Sequence, residues 1–167
     1  MNSKMLKRYW ITLSFIICQL LLSPAKAQTM ADAFRQMPDS LLPSLTRNNR
    51  LDLVDFCEAK MMSVVKNRLD EEVEMTVLTP DSLSLRMSSA LRIDMKLFNT
   101  TEAYDSCQQV ICVMRNYQLQ NDMGRETVAS FYTLKWRPLS VPPVSLPAFR
   151  NTFSRQEDEL FRKQPIN

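Results

Sequence analysis

The sequence predicts an α+β fold. N-terminal helices pack on one face of an antiparallel sheet of about five strands, and a Pro-rich C-terminal tail with a short helix follows. Three observations carry this. Apolar residues recur at helical spacing before residue 70 and at a spacing of two after it. The alternation leaves one face of each strand polar, as in antiparallel sheets with one covered and one wet face. Prolines at 138, 142, 143 and 147 then interrupt any ordinary strand.

Residues 1–27 read as a cleavable export signal. Lys4, Lys7 and Arg8 form a basic start, Ile11 to Leu22 an apolar run, and Ala25-Lys26-Ala27 a small-x-small cleavage site before Gln28. The run is too short to span a bilayer, which takes about 20 residues. Four of the 21 basic residues leave with this segment, so 17 remain against 18 acidic ones. The apparent basicity belongs to the signal, and no nucleic-acid footprint survives it. Residues 28–138 are expected to form a single domain, with 139–167 as the Pro-rich extension and short C-terminal helix.

Along the chain, Ala31, Phe34 and Met37 mark a first helical segment, stopped by Pro38 and followed by the turn formers Asp39 and Ser40. The clearest helix is expected from about Arg50 to Leu69. Asn49 would be its N-cap, and Leu51, Leu53, Val54, Cys57, Met61, Val64, Val65 and Leu69 its apolar side. A first strand is read at Met75 to Thr79, and Thr79-Pro80-Asp81-Ser82 as a type I turn. Leu83, Leu85 and Met87, then Leu91, Ile93, Met95 and Leu97, alternate with polar residues as two further strands. Asn99 to Ser106 reads as a polar loop. Gln109 to Tyr117 is apolar enough for a central strand covered on both faces. Asn121-Asp122-Met123-Gly124 is a turn, Glu126 to Trp136 the last strand, and Ser154-x-x-Glu157 a capping box opening the terminal helix.

Composition excludes much chemistry. There is no histidine, so there is no His-based catalytic pair and no imidazole metal site. A single glycine cannot build a dinucleotide-binding fingerprint, a phosphate loop or a nucleophile elbow. After the signal, Cys57, Cys107 and Cys112 remain. Buried free thiols are the preferred reading, with a Cys57–Cys112 bridge as the alternative. Asp52 with Asp55, and Glu71 with Glu72, are carboxylate pairs that a solvated surface explains. Nine methionines are explained by core filling rather than by a soft metal. Tyr117, Phe131, Tyr132 and Trp136 suit cross-strand stacking, with Trp136 expected to be partly exposed. Asn99-Thr100-Thr101 matches an N-glycosylation sequon.

The run Met37-Pro-Asp-Ser-Leu-Leu-Pro-Ser-Leu-Thr46 leads into Asn49-Arg50-Leu51-Asp52-Leu53-Val54-Asp55-Phe56. With Leu78-Thr-x-Asp81-Ser-Leu83, Val110-Ile-Cys-Val-Met-Arg115, and Phe131-Tyr132 before Lys135-Trp136, it resembles a Bacteroidales-restricted family of exported proteins of unknown function. The resemblance implies a periplasmic or outer-membrane-associated location and no catalytic residue. In such bacteria Asp39-Ser40-Leu41 and Asp81-Ser82-Leu83 resemble O-glycosylation signals at Ser40 and Ser82, for which ordinary turns are the preferred reading.

The expected function is a non-enzymatic exported domain that binds a protein or cell-envelope component. It has no catalytic, cofactor or metal residues, no nucleic-acid partner and no transmembrane segment in the mature chain. The candidate partner surface is Thr46, Asn49, Arg50, Asp52, Asp55 and Trp136. The alternatives are a carboxylate-based hydrolase or lyase, and a small-ligand carrier with a helix–sheet cavity.

Overall fold

The computed structural model of the chain describes residues 28–119 and 125–140. Segment 1–27, expected as an export signal, the turn expected at Asn121 to Gly124, prolines 142, 143 and 147 and the helix expected at 155–163 lie outside the described residues.

Thr29 starts helix α1 (Met30–Arg35) through a reciprocal capping box with Asp32. Pro38 ends the segment, and a single 3-10 turn follows at Asp39–Leu41. Helix α2 spans Arg47–Glu58, shorter than the periodicity suggests and displaced toward the N-terminus. Its N-cap is Thr46; Asn49 is the third helical residue, whose side chain returns to the Thr46 backbone N–H. The stop has a clear cause. Lys60 takes a left-handed conformation with φ 57°. Its N–H donates to Cys57 O at 3.0 Å, and Met61 N–H donates to Phe56 O at 2.9 Å. This is a Schellman cap with lysine where glycine is usual. Beyond it the β-branched pair Val64-Val65 favours extended backbone.

Among the described residues the sheet has seven strands rather than five, in the order of the sequence, each antiparallel to the next. They are β1 (Val64–Lys66), β2 (Glu72–Leu78), β3 (Ser82–Arg86), β4 (Leu91–Tyr104), β5 (Cys107–Gln118), β6 (Arg125–Thr133) and β7 (Pro138–Leu139). The architecture is thus α+β but mostly sheet. The segment expected as a polar loop at 99–106 is the far end of the long β4–β5 hairpin. Its tip is Asp105-Ser106, with φ 51° and 69°. Both tip residues at positive φ is the hairpin turn geometry that Asn and Gly usually serve. The arm reads as a loop because Thr101, Glu102 and Ala103 are exposed there. Pro138 does enter the sheet, as part of a two-residue edge strand, the position where a missing N–H is tolerated.

The helices cover one face. Leu83, Leu85, Ile93, Met95, Ile111 and Val113 from β3–β5 meet Met30, Phe34, Leu45, Leu53 and Val54 from the helical segments. The alternation at 83–97 therefore positions this core as the sequence predicts. α1 is also pinned at its start, where Met30 N–H donates to Pro80 O in the β2–β3 turn at 2.8 Å. Trp136 closes the same core at 5 % exposure, contrary to the expected partial exposure. Its Nε1–H donates to Ala33 O at 2.9 Å, and its ring tilts against Tyr132.

The opposite face carries a smaller cluster of Cys112, Met114 and Phe131, flanked by Phe98 and Leu139. Strand β5 is thus buried on both sides, as expected. Cys57 packs against the helix-side core and Cys112 belongs to the opposite cluster, with the sheet between them. All three thiols are free, so the Cys57–Cys112 bridge considered above does not form.

Replacing Lys60 by Gly should stabilise the fold by about 1 kcal/mol, because the left-handed cap then carries no Cβ penalty. A urea midpoint that rises at unchanged slope would verify this.

Candidate functional site

The six residues singled out in the sequence do not form one surface. Thr46 and Asn49 are engaged in the helix cap, and Asn49 Nδ2 also donates to Lys66 O on β1 at 3.0 Å. Asp52 is exposed. Asp55 is exposed and bound to Arg35 at 2.9 Å, an arginine shared with Glu58. The hydrogen bond to Glu58 is the largest reason that the Arg35 pKa is raised. Trp136 is buried, as described. Arg50 departs most from expectation, at 1 % exposure.

The Arg50 guanidinium is a strut inside the helical layer. Nη1 donates to Leu45 O at 2.8 Å, and Nη2 donates to Met37 O and to Asp39 Oδ1, both at 2.7 Å. A planar fork with several fixed donors fits these three acceptors, where a lysine ammonium would reach fewer of them. Arg50 and Trp136 are therefore removed from the candidate surface. What appeared in the sequence as a polar helix start is the way α1, the 3-10 turn and α2 are tied together.

The described polar groups that do converge lie on the face of the sheet away from the helices. Glu74, Arg86, Arg92, Asn116 and Thr127 stand opposite one another across β2–β6. In the next row Ser84 faces Asp94. Asp94 is almost fully buried at 2 % exposure. It accepts from Ser84 Oγ at 2.5 Å, Arg92 Nε at 3.0 Å and Asn116 Nδ2 at 2.8 Å. Thr127 Oγ1 donates onward to Asn116 Oδ1 at 2.8 Å, and Arg86 pairs with Glu74. Three donors engage both oxygens of the buried Asp94 carboxylate, so this ladder ties strands together rather than presenting a free general base. Among the described residues no group of three or more Cys, Asp or Glu could hold a metal ion. The Cys112 thiol, buried in the apolar cluster, has its pKa pushed far up by desolvation, the reverse of an activated nucleophile.

The three most exposed large apolar side chains among the described residues flank β1 in the chain. Met61 is 60 % exposed, Met62 80 % and Leu69 69 %. The two methionines stand in the α2–β1 loop, and Leu69 in the β1–β2 turn. Helical periodicity placed Met61 and Leu69 on a buried stripe, and the early helix stop frees them. The adjacent Met61-Met62 pair was the available signal, since neighbours on a helix diverge by about 100°.

The turn residues flagged as possible glycan sites separate clearly. Ser40 is exposed, whereas Ser82 is buried and its hydroxyl donates to Asp81 Oδ1 at 2.9 Å. Asn99 of the sequon is exposed and accepts from Gln109 at 3.2 Å.

With this geometry in place, a family profile described as "Protein of unknown function (DUF3256)" matches residues 23–163. The chain belongs to that family. No curated protein matches this sequence. A solved structure, a domain of an uncharacterized protein from Porphyromonas gingivalis W83, is similar in fold, with 19 % identity and a TM-score of 0.52 over 75 % of this chain and 68 % of the other. The DUF3256 assignment gives the resemblance read from the motifs its coarse content, a family of unknown function. The neighbour comes from a member of the Bacteroidales.

Two outcomes are expected. Arg50→Leu should lower the unfolding free energy by about 3 kcal/mol, because buried carbonyls lose their donors. Asp39→Asn should cost about 1 kcal/mol or less, since that carboxylate is half exposed. Urea denaturation separates the two. The second concerns Asp81. Partial burial pushes its pKa up, but hydrogen bonds from Thr79 and Ser82 and the charge of Lys96 outweigh this, leaving it below the usual aspartate value. A lowered folded-state pKa gives stability above the unfolded value of about 3.9, lost as pH falls through the folded value. Asp81→Asn should therefore be less stable than the parent near neutrality, and the gap should close in acid. Urea midpoints across that range would show it.

Proposed function

We propose that this DUF3256 chain is an exported, non-enzymatic module that binds a protein or cell-envelope component at the corner made by the α2–β1 loop and the outer edge of β1. The observation that carries this is the exposure of Met61, Met62 and Leu69 around one short strand edge. Methionine is the adaptable apolar residue of binding surfaces, and here the adjacent pair Met61-Met62 lies before β1 and Leu69 just beyond its other end. The edge offers polar complementarity as well. Ser63 O accepts from Met75 N–H on β2 and Asn67 N–H donates to Glu71 O just before it, which in the antiparallel pattern turns the backbone polar groups of Val64 outward. Asn49 occupies the Lys66 carbonyl and brings the α2 start, with exposed Asp52, beside the same edge. The sequence-predicted surface is thus retained in part, through Asn49 and Asp52. The signal-like segment 1–27 supports export, and the burial and hydrogen bonding of Asp94 support a role without turnover.

A photo-crosslinking residue placed at Met62 in cells exporting the chain should give discrete adducts, absent when it replaces the exposed Lys135. Met61→Lys with Leu69→Lys should remove the adducts while changing stability by roughly 0.5 kcal/mol or less, as for surface substitutions. Adducts no stronger at 62 than at 135 would reject the corner as a binding site. A mature N-terminus far from Gln28 would reject the export route.

A further inference from the structure

We infer that the face of the sheet away from the helices is an intramolecular docking surface, and that its occupant is the chain's own segment after Ser140. Cys112 is 0 % exposed and Met114 and Phe131 6 % each, although the described members of their apolar cluster come from strands alone. Neighbours within one sheet do not by themselves close over a central thiol to that degree, so a further layer has to lie above it.

The chain is delivered to this place. β7 pairs with β6 so that Leu139 stands opposite Phe131, and Leu139 packs on the same cluster as Cys112. From there 27 residues follow, 141–167. Cys112 faces Phe131 across β5–β6, so it lies two strand spacings from β7, roughly 10 Å. An extended proline-rich segment advances about 3.1 Å per residue, so Val144, Leu146 and Phe149 can all reach it.

Composition favours a face over an edge. Prolines 142, 143 and 147 have no backbone N–H, so the segment is a poor eighth strand beside β7. Apolar side chains at 141, 144, 146, 149 and 153 can instead meet the cluster through side-chain packing. The family profile runs on to residue 163, so this segment belongs to the family's module and is not an appendage to it.

The experiment uses the mature full-length chain with Cys57→Ser and Cys107→Ser, leaving Cys112 as its only thiol. Labelling by a thiol reagent under native conditions should be at least roughly a hundredfold slower than in denaturant, and independent of protein concentration. Phe149→Asp with Phe153→Asp should accelerate it at least roughly tenfold with the far-UV circular dichroism unchanged. Should that pair disturb folding, a protease site inserted after Ser140 and cut in the folded protein gives the second route, with the same acceleration expected on dilution. Fast labelling of the parent would overturn the inference. So would protection that grows with concentration alongside a dimer, which would make a second copy the cover, or acceleration by neither route.

Discussion

The buried guanidinium of Arg50 is the interaction on which the helical layer depends. α1, the 3-10 turn and α2 are short, and helices of this length are marginal in water without tertiary contacts. Arg50 holds Met37 O, Leu45 O and Asp39 at once, tying the chain between the helices together where it packs on the sheet. That unit then presents Phe34, Leu45, Leu53 and Val54 to the inward side chains of β3–β5. Trp136, reaching back from beyond β6 to Ala33 O, closes the layer at its far end. The distance in sequence between these two anchors makes the layer a long-range construction, which local propensity alone would not form.

A second constraint is the scarcity of glycine. Tight turns in a meander need residues at positive φ, and here Lys60, Asp70, Asp105, Ser106 and Trp136 take them. Each bears a local cost of about 1–2 kcal/mol that glycine would avoid. This also explains what was legible in the sequence and what was not. Period-two alternation at 83–97 located two strands and their buried face, because it records the pleat directly. The end of α2 left no such mark, since a lysine cap looks like any solvated lysine. Without that stop, Met61, Val64, Val65 and Leu69 continue the helical spacing by coincidence, and β1 is hidden inside it. The β4–β5 arm was hidden for a related reason, its exposed residues and Asp-Ser tip having the composition of a loop.

The candidate site was legible only in part, for physical reasons that differ by residue. An arginine at a helix start reads as surface, because burying its charge requires acceptors from three places that no local pattern reveals. Trp136 beside Arg137-Pro138 reads as a chain end, yet its left-handed backbone turns the indole inward. Asp94 alternates correctly onto the polar face, and its burial follows from Ser84, Arg92 and Asn116, which only the register of three strands brings together. Asn49 and Asp52 lie at the start of α2, whereas the exposed Met61 and Met62 come from the loop that ends the helix and Leu69 from the β1–β2 turn, none of which the helical spacing marked as surface.

The two faces and two edges of the sheet therefore carry different work. One face is filled by the helices, and the other pairs a hydrogen-bonded polar ladder with an apolar cluster at the start of the C-terminal segment. Of the edges, β7 is two residues long and begins with a proline, a form that discourages further strand pairing. β1 is also short, and Asn49 occupies one of its carbonyls, but exposed methionines and a leucine surround it instead of charges or prolines. Edges are commonly blunted by charge, proline or cover, so an edge ringed by soft apolar side chains is the part of this surface least shaped for solitude. The same early helix stop that shortens α2 creates it: were α2 to continue through Leu69, Met61 would lie in the core and β1 would not exist. The exposed corner and the fold thus share one local cause, the left-handed turn at Lys60.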